Sequence, residues 1–454
     1  MKVALLGGAG TRVPLVVSGL LRSRANLPCE ELALWDPNHE RQAAIAAVCD
    51  AMVRRSLTAL RITLAGSAER AISGADFILC SIRVGGAEAR IKDERIALAD
   101  GLLGQETIGP GGWAMALRSI PAVLEYARLA ERVAPRAWLL NFTNPVGIVQ
   151  QALLAAGVQR AIGICDTPRE MFENAARELG IETDRAFFDY FGLNHLGWVR
   201  RILVDGKDLL PQLLAQPQKV ANIYHVPLFE EQYLQSTRLL PTEYVYFYLH
   251  ADEAAAKLKR AGTTRGEAVA EQERKFFAAL AAANGDGARM LERYDDYLAE
   301  RHATYFRLET GESVSQRDLA QARSELYQKA AGYDRIAVDV MRAIAGNQRA
   351  VFPVDVANQG AIADLPANDA VEVPCEIDAR GACPLPVGCV PESVRALLTQ
   401  VKEYERLTAQ AALQGSLELA AEALRANPLV GDRVDPMNLA QAYRDAHPHL
   451  EYLR

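Results

Sequence analysis

Two short strings hold the residues best suited to chemistry. Ile164-Cys165-Asp166-Thr167-Pro168 offers a thiol with a carboxylate beside it, and Gly192-Leu193-Asn194-His195-Leu196 offers an imidazole. Each ends an apolar run that reads as a buried strand. A thiolate and an imidazole suit a divalent ion such as Zn²⁺ or Fe²⁺. Two protein ligands leave positions open to substrate and water, as a catalytic ion requires. The plain alternative is a buried structural cysteine and a core histidine. Asp166 adjoins the thiol and could protonate a leaving oxygen if its pocket raised its pKa. The alternative role there is a helix N-cap ahead of Pro168.

A nucleotide site is expected upstream. Lys2–Leu6 is apolar and is followed at once by Gly7-Gly8-Ala9-Gly10; helical periodicity covers 13–21, and Glu31–Trp35 ends in Asp36. Strand, glycine turn, helix, strand and acid form the first βαβ unit of a doubly wound sheet. The glycines let backbone N–H groups approach a pyrophosphate at a helix N-terminus. Asp36 is placed to accept from a ribose hydroxyl and would repel a 2′-phosphate, so NAD is expected rather than NADP. Val13 stands where the third fingerprint glycine would fall. The cofactor-binding set is therefore Gly7, Gly8, Gly10, Asp36 and Ser81, the last ending a strand over 77–81. Arg83 follows that strand, where doubly wound sheets bind ligands, and a guanidinium suits phosphate or carboxylate.

Further strands are expected over 138–141 and 161–164, with a helix over 114–133 between earlier elements. Beyond residue 170 the pattern changes. Segments 187–193 and 199–204 read as strands able to pair antiparallel, long charged helices cover 265–282, 290–300 and 390–414, and 353–386 reads as strands and loops. The predicted class is α/β: a Rossmann-like doubly wound parallel sheet over 1–170, then an α+β substrate, metal and oligomerisation domain over 171–454, as in lactate and malate dehydrogenases.

Composition narrows the partners. The formal charge of −7 is spread along the chain, which argues against nucleic acid or an anionic membrane surface. No apolar run reaches the roughly 18–20 residues that span a bilayer. No secretory signal precedes the strand at Lys2, and seven cysteines lack framework spacing, so a reducing cytoplasm is expected.

Several strings then occur together: Gly104-Gln105-Glu106-Thr107 with Gly109 and Gly111-Gly112, Asn141-Phe142-Thr143-Asn144-Pro145, Cys165-Asp166-Thr167-Pro168 and Asn194-His195-Leu196. Leu240-Pro241-Thr242-Glu243-Tyr244, Thr264-Arg265-Gly266, Asn358-Gln359-Gly360-Ala361-Ile362, Val373-Pro374-Cys375 and Asn427-Pro428-Leu429-Val430 follow. In this order they resemble glycoside hydrolase family 4, the NAD- and metal-dependent glycosidases, over nearly the whole chain. The subgroup resembled most closely is the 6-phospho-β-glucosidases. The resemblance implies Mn²⁺ or another divalent ion on Cys165 and His195, Tyr244 as a base, and Asp166 as an acid. Tyr246 is the next candidate base. The resemblance also implies Arg90, Glu106, Asn144 and Arg265 around the sugar, with dimers or tetramers as assemblies.

The reaction it implies begins with hydride loss from sugar C3 to NAD⁺. Proton loss from C2 follows, then elimination of the aglycone, addition of water and return of the hydride; such enzymes stand apart from two-carboxylate glycosidases. Two positions depart from the β-type pattern. Asp166 stands where β-type members commonly have Asn and α-type members have Asp. Lys329-Ala330-Ala331-Gly332-Tyr333 replaces an Arg-Gly-Gly-Ala string before a Tyr, which weakens the case for a phosphorylated sugar. Anomer and 6-phosphate are thus left open.

One rival is an NAD-dependent hydroxyacid dehydrogenase, which needs no metal but pairs a catalytic His with an Asp; Asn194-His195 supplies no such pair. Another is a nucleotide-sensing scaffold, against which Cys165, His195, Tyr244 and Glu106 stand together. His39, His225, His250, His302, His447 and His449 are expected to be structural or surface residues.

Overall fold

The computed structural model describes residues 1–324, 326 and 332–454. Lys329, Ala330 and Ala331 therefore lie outside the described residues, and the string they begin is not tested.

Six short strands form the parallel part of one sheet: β1 (Lys2–Leu6), β2 (Glu31–Trp35), β3 (Arg61–Leu64), β4 (Phe77–Cys80), β5 (Trp138–Asn141) and β6 (Ala161–Gly163). Their spatial order is β3-β2-β1-β4-β5-β6. This is the doubly wound order, with its switch point between β1 and β4. β1, β4 and β5 are almost wholly buried and read as unbroken apolar runs, because helices cover both faces of a parallel sheet.

β7 (Phe187–Leu193) and β8 (Leu196–Val204) form an antiparallel hairpin, extended by β9 (Lys207–Asp208) and β10 (Leu240–Pro241). β11 (Ala350–Ala357), β12 (Ala370–Asp378) and β13 (Gly381–Pro384) come late in the chain, yet they continue the first sheet beyond β6. The junction is antiparallel, Asp355 facing Gly163. The large sheet thus runs across the division expected at residue 170.

Late elements also brace the early ones. In the helix Gly287–Ala303, Tyr294 donates to the Thr11 carbonyl at 2.9 Å and the Tyr297 hydroxyl lies 3.0 Å from Thr11 Oγ1. The glycine turn is therefore held from outside its own βαβ unit. The helix Arg265–Ala282 starts with a capping box: Thr264 Oγ1 accepts from the Glu267 N–H at 3.2 Å and the Glu267 carboxylate accepts from the Thr264 N–H at 3.0 Å. That fixed start sets the position of Arg265 and Gly266.

Candidate active site

The carboxyl ends of β1, β4, β5 and β6 converge on one crevice, and each contributes a loop. After β1, Gly7 and Gly8 donate to the Trp35 carbonyl at 3.0 and 2.9 Å. Gly7 has φ +94°, and a Cβ there would stand 2.1 Å from the Ser81 carbonyl oxygen. Only glycine permits that close packing of the turn against the end of β4. Gly10 N–H bonds the Gly7 carbonyl at 2.9 Å, and the helix Val13–Arg22 begins with Pro14 in its first turn. Val13 is buried at the first helical position, so the missing third glycine leaves the turn intact. Asp36 accepts from Ala9 N–H at 3.2 Å and Asn38 N–H at 2.9 Å, which aims its carboxylate across the turn. Gly7, Gly8, Gly10, Asp36 and Ser81 therefore share one cradle.

After β5, the Asn141 side chain caps its own turn, accepting from Thr143 N–H at 3.1 Å. Thr143 Oγ1 accepts from Ile82 N–H at 3.1 Å, which ties this loop to Ser81-Ile82. Asn144 behaves differently. Its Oδ1 is buried with no hydrogen-bond partner among the described residues.

After β6 comes Cys165, which is 4% exposed. Its Sγ lies 4.0 Å from Asp166 Oδ1. Burial pushes the thiol well above its ordinary pKa, and Glu372 and Asp166 add to the rise. Asp166 begins the helix Thr167–Leu179, but its side chain makes no capping bond. It pairs instead with Arg12 at 3.4 Å. Burial raises its pKa, Arg12 opposes this, Glu170 reinforces it, and the net direction is upward.

His195 sits in the two-residue turn between β7 and β8, with Leu193 facing Leu196. Its φ is +64°, a left-handed conformation uncommon for a residue other than glycine. The turn is anchored from β12: Glu372 accepts from Asn194 Nδ2 at 3.3 Å and from the Tyr190 hydroxyl at 2.5 Å. Gly197 leaves room for that tyrosine, since a Cβ there would lie 2.0 Å from Tyr190 Oη. The His195 ring is 6% exposed and stacks on Tyr244, with centroids 3.9 Å apart and planes 6° apart. Burial lowers its pKa to about 3 although Glu106 pulls the other way, so the imidazole is neutral with a lone pair to offer. Its Nδ1 is buried and has no hydrogen-bond partner among the described residues.

Tyr244 is held beside that ring by β10, where Leu240 faces Val199 and Pro241 faces Trp198. The Thr242 N–H adds a bond to the Gly197 carbonyl at 2.8 Å. Burial raises the Tyr244 pKa well above that of a free phenol, and Glu243 and Glu106 raise it further. Tyr246, the second candidate base, is turned elsewhere: its hydroxyl reaches the Glu309 carbonyl at 3.4 Å.

The arginines form a second cluster. Glu106 accepts from Arg83 Nη2 at 2.5 Å and lies 2.9 Å from Arg90 Nη1. Arg90 Nε donates to Glu94 at 2.8 Å, and Glu94 accepts from Gly266 N–H at 2.7 Å. Arg265 donates to the Thr304 carbonyl at 3.1 Å and hydroxyl at 2.8 Å. Burial works to raise the Glu106 pKa, but Arg90 and Arg83 outweigh it and hold the carboxylate well below its usual range. Burial, aided by Arg301, lowers Arg265 to about 10.

By their chemistry, Cys165 and His195 are donors suited to a divalent ion. The buried Cys165 thiol meets Thr167 and, at 4.0 Å, the Asp166 carboxylate, and the neutral His195 imidazole keeps its buried Nδ1 without a hydrogen-bond partner among the described residues; both are soft or borderline donors. Sequence reasoning missed Glu372, Tyr305 and Glu243 and assigned His225 to structure or surface. Glu372 lies between Val371 and Val373 in a strand buried on both faces, which marked it as an acid needing partners.

Comparison with known proteins places the chain in a family. Residues 2–181 match the profile of the family 4 glycosyl hydrolases, and residues 190–430 match that of the family 4 glycosyl hydrolase C-terminal domain. The chain belongs to glycosyl hydrolase family 4, a class of enzymes. It is 30% identical over 461 residues to a 6-phospho-beta-glucosidase of Escherichia coli, covering 98% of this chain and 95% of the relative. Among solved structures it resembles the 6-phospho-beta-glucosidase of Thermotoga maritima with manganese, NAD⁺ and glucose-6-phosphate; TM-score is 0.81, identity 25% and coverage 100% of both chains. A 6-phospho-alpha-glucosidase from gut microorganisms, in complex with NAD and Mn²⁺, also gives a TM-score of 0.81, with 27% identity over 98% of this chain and 97% of that one.

Proposed function

We propose that this chain hydrolyses 6-phospho-β-glucosides by oxidation at C3, deprotonation at C2, elimination, water addition and re-reduction. The observation that carries this reading is the stacked His195–Tyr244 pair, with the Cys165 thiol at the end of β6 near enough to raise the Tyr244 pKa. Cys165 and His195 would hold Mn²⁺, and Gly7, Gly8, Gly10, Asp36 and Ser81 would hold NAD. When bound, these groups supply a hydride acceptor for C3 and Lewis acidity that loosens the C2 proton.

The chain's own residues do the rest. Tyr244 Oη takes the C2 proton, and the flat stack on His195 fixes its distance from the metal ligands. Asp166 gives a proton to the leaving oxygen, and burial shifts its carboxyl toward the neutral form. Arg83, Arg90, Glu106, Asn144 and Arg265 surround the sugar, Asn144 Oδ1 being a buried acceptor with no hydrogen-bond partner among the described residues. Support for the phosphate comes from the relatives, which are named for 6-phosphoglucosides.

A second reading, cleavage of the α-linkage, is favoured by the Asp166 carboxyl beside Cys165 and by the likeness to the α-enzyme. We also place the protein in the cytoplasm as a homodimer or homotetramer. All seven cysteines are free, and among the described residues no helix is long and apolar enough to cross a membrane. A screen of nitrophenyl α- and β-glucosides, each with and without a 6-phosphate, tests the proposal in NAD⁺, Mn²⁺ and a reductant. The 6-phospho-β substrate should turn over fastest without net NADH. Fastest turnover of another member, or NADH accumulating with turnover, would overturn it.

A further inference from the structure

Tyr244 leads into a row of polar groups that the reaction above does not use. Its hydroxyl lies 3.0 Å from that of Tyr305, and Tyr305 donates to Glu243 Oε1 at 2.8 Å. Glu243 precedes Tyr244 in sequence, yet the two side chains are bridged by Tyr305 from a distant segment. Beyond Glu243 lies a small cavity lined by Thr167, Glu170, Asn174, Tyr224 and His225. Across it His225 Nε2 stands 3.4 Å from Glu170 Oε1. The His225 ring meets Tyr305 edge-on at 4.9 Å and His302 at 4.5 Å. Phenol, phenol, carboxylate and an acid–imidazole pair thus follow one another from the reacting centre to the start of the helix Thr167–Leu179.

We propose that Tyr305 and Glu243 are the relay through which the C2 proton leaves and re-enters the pocket, a reading that rests on Tyr244 as the base. As Tyr244 Oη accepts the C2 proton, it gives its own proton to Tyr305 Oη, and Tyr305 gives its proton to Glu243 Oε1. At each phenol one O–H bond breaks and one forms. Glu243 ends as the neutral acid, the electron pair stays on C2 for the elimination, and no oxidant or reductant is consumed. After water has added, the same row runs backward and returns a proton to C2.

The relay answers a physical difficulty. A buried phenol cannot ionise alone without large cost, whereas a carboxylate two hydrogen bonds away can take the proton as the phenol reacts. The acceptor is suited to this. Burial raises the Glu243 pKa, His225 and Tyr305 restrain it, Glu170 reinforces it, and the net direction is upward, so it binds a proton more readily than an exposed glutamate.

The test uses the enzyme loaded with NAD⁺ and Mn²⁺, and p-nitrophenyl 6-phospho-β-D-glucoside carrying hydrogen or deuterium at C2. Tyr305→Phe and Glu243→Gln should each lower kcat by about 10²-fold. KM should stay within about twofold and the C2 deuterium effect on kcat should grow. In Glu243→Ala, added formate or acetate should restore part of kcat, which a misfolded variant would not show. Wild-type kcat and deuterium effect in both variants, losses through KM alone, or absence of rescue would overturn the relay. Tyr244→Phe separates the two readings. If it still exchanges C2 deuterium with solvent, Tyr244 is not the base and both fall. If exchange stops there while Tyr305→Phe and Glu243→Gln match the wild type, the relay alone falls.

Discussion

The polar side chains named in the two halves of the crevice are paired differently. In the arginine cluster, Arg83, Glu106, Arg90, Glu94 and the Gly266 N–H are joined link by link at 2.5–2.9 Å. At the other end, His195 Nδ1 and, after β5, Asn144 Oδ1 are buried without hydrogen-bond partners among the described residues. Burying an unpaired polar atom costs about 1–3 kcal/mol, and such atoms are scarce in folded proteins. The contrast teaches that the arginine cluster is a finished brace and the Cys165–His195 end is finished only by its ligand. The His195 turn, with its left-handed residue, is held in that state by Glu372 from β12.

Breaking the unfinished half should have the largest effect. Tyr244→Phe should lower kcat by about 10²–10⁴-fold with little change in KM. Cys165→Ser or His195→Ala should lower metal-dependent kcat/KM by about 10²–10³-fold. NAD affinity, read by fluorescence titration, should persist because the glycine cradle lies on other strands; parallel loss of NAD binding would mean that the halves are not separable. Metal uptake sharpens the same point. The Cys165 thiol stands well above its usual pKa without metal, so it is protonated at neutral pH and must lose that proton to become a ligand. Calorimetry in buffers of different ionisation heat should show about one proton released per Mn²⁺, and affinity should fall about tenfold for each pH unit of acidification.

Breaking the finished half should cost stability first. Glu106→Gln leaves Arg83 and Arg90 without their shared carboxylate, and unfolding by denaturant should show a loss of roughly 1–3 kcal/mol. An unchanged unfolding midpoint would show that the cluster is not a brace.

What could be read in the sequence was local. The run Lys2–Leu6, the glycines and Asp36 lie within one βαβ unit, and their order alone implied the cradle that β1, β2 and β4 form. The helix Arg265–Ala282 and the strands Trp138–Asn141 and Phe187–Leu193 were legible to their ends, because periodicity and capping are set by neighbours in the chain. The string 192–196 exposed its histidine because a polar pair interrupts two apolar strands. What was not legible depended on distant contacts. Nothing near residue 350 says that β11 will join β6, and nothing near Glu372 says that it will hold Asn194. His225 sits in an ordinary stretch and gains meaning only from Glu170, Tyr305 and His302, which three other segments bring to it. Asp166 was legible as an acid beside a thiol, but its pairing with Arg12 follows from the packing of two helix starts.

The central claim is that the C2 hydrogen leaves as a proton during turnover. The most direct test is to run p-nitrophenyl 6-phospho-β-D-glucoside deuterated at C2 with NAD⁺ and Mn²⁺ in ordinary water, and to read C2 in the released sugar by NMR. The account predicts that deuterium is replaced by solvent hydrogen, or that its presence slows turnover. Full retention of deuterium at an unaltered rate would contradict it.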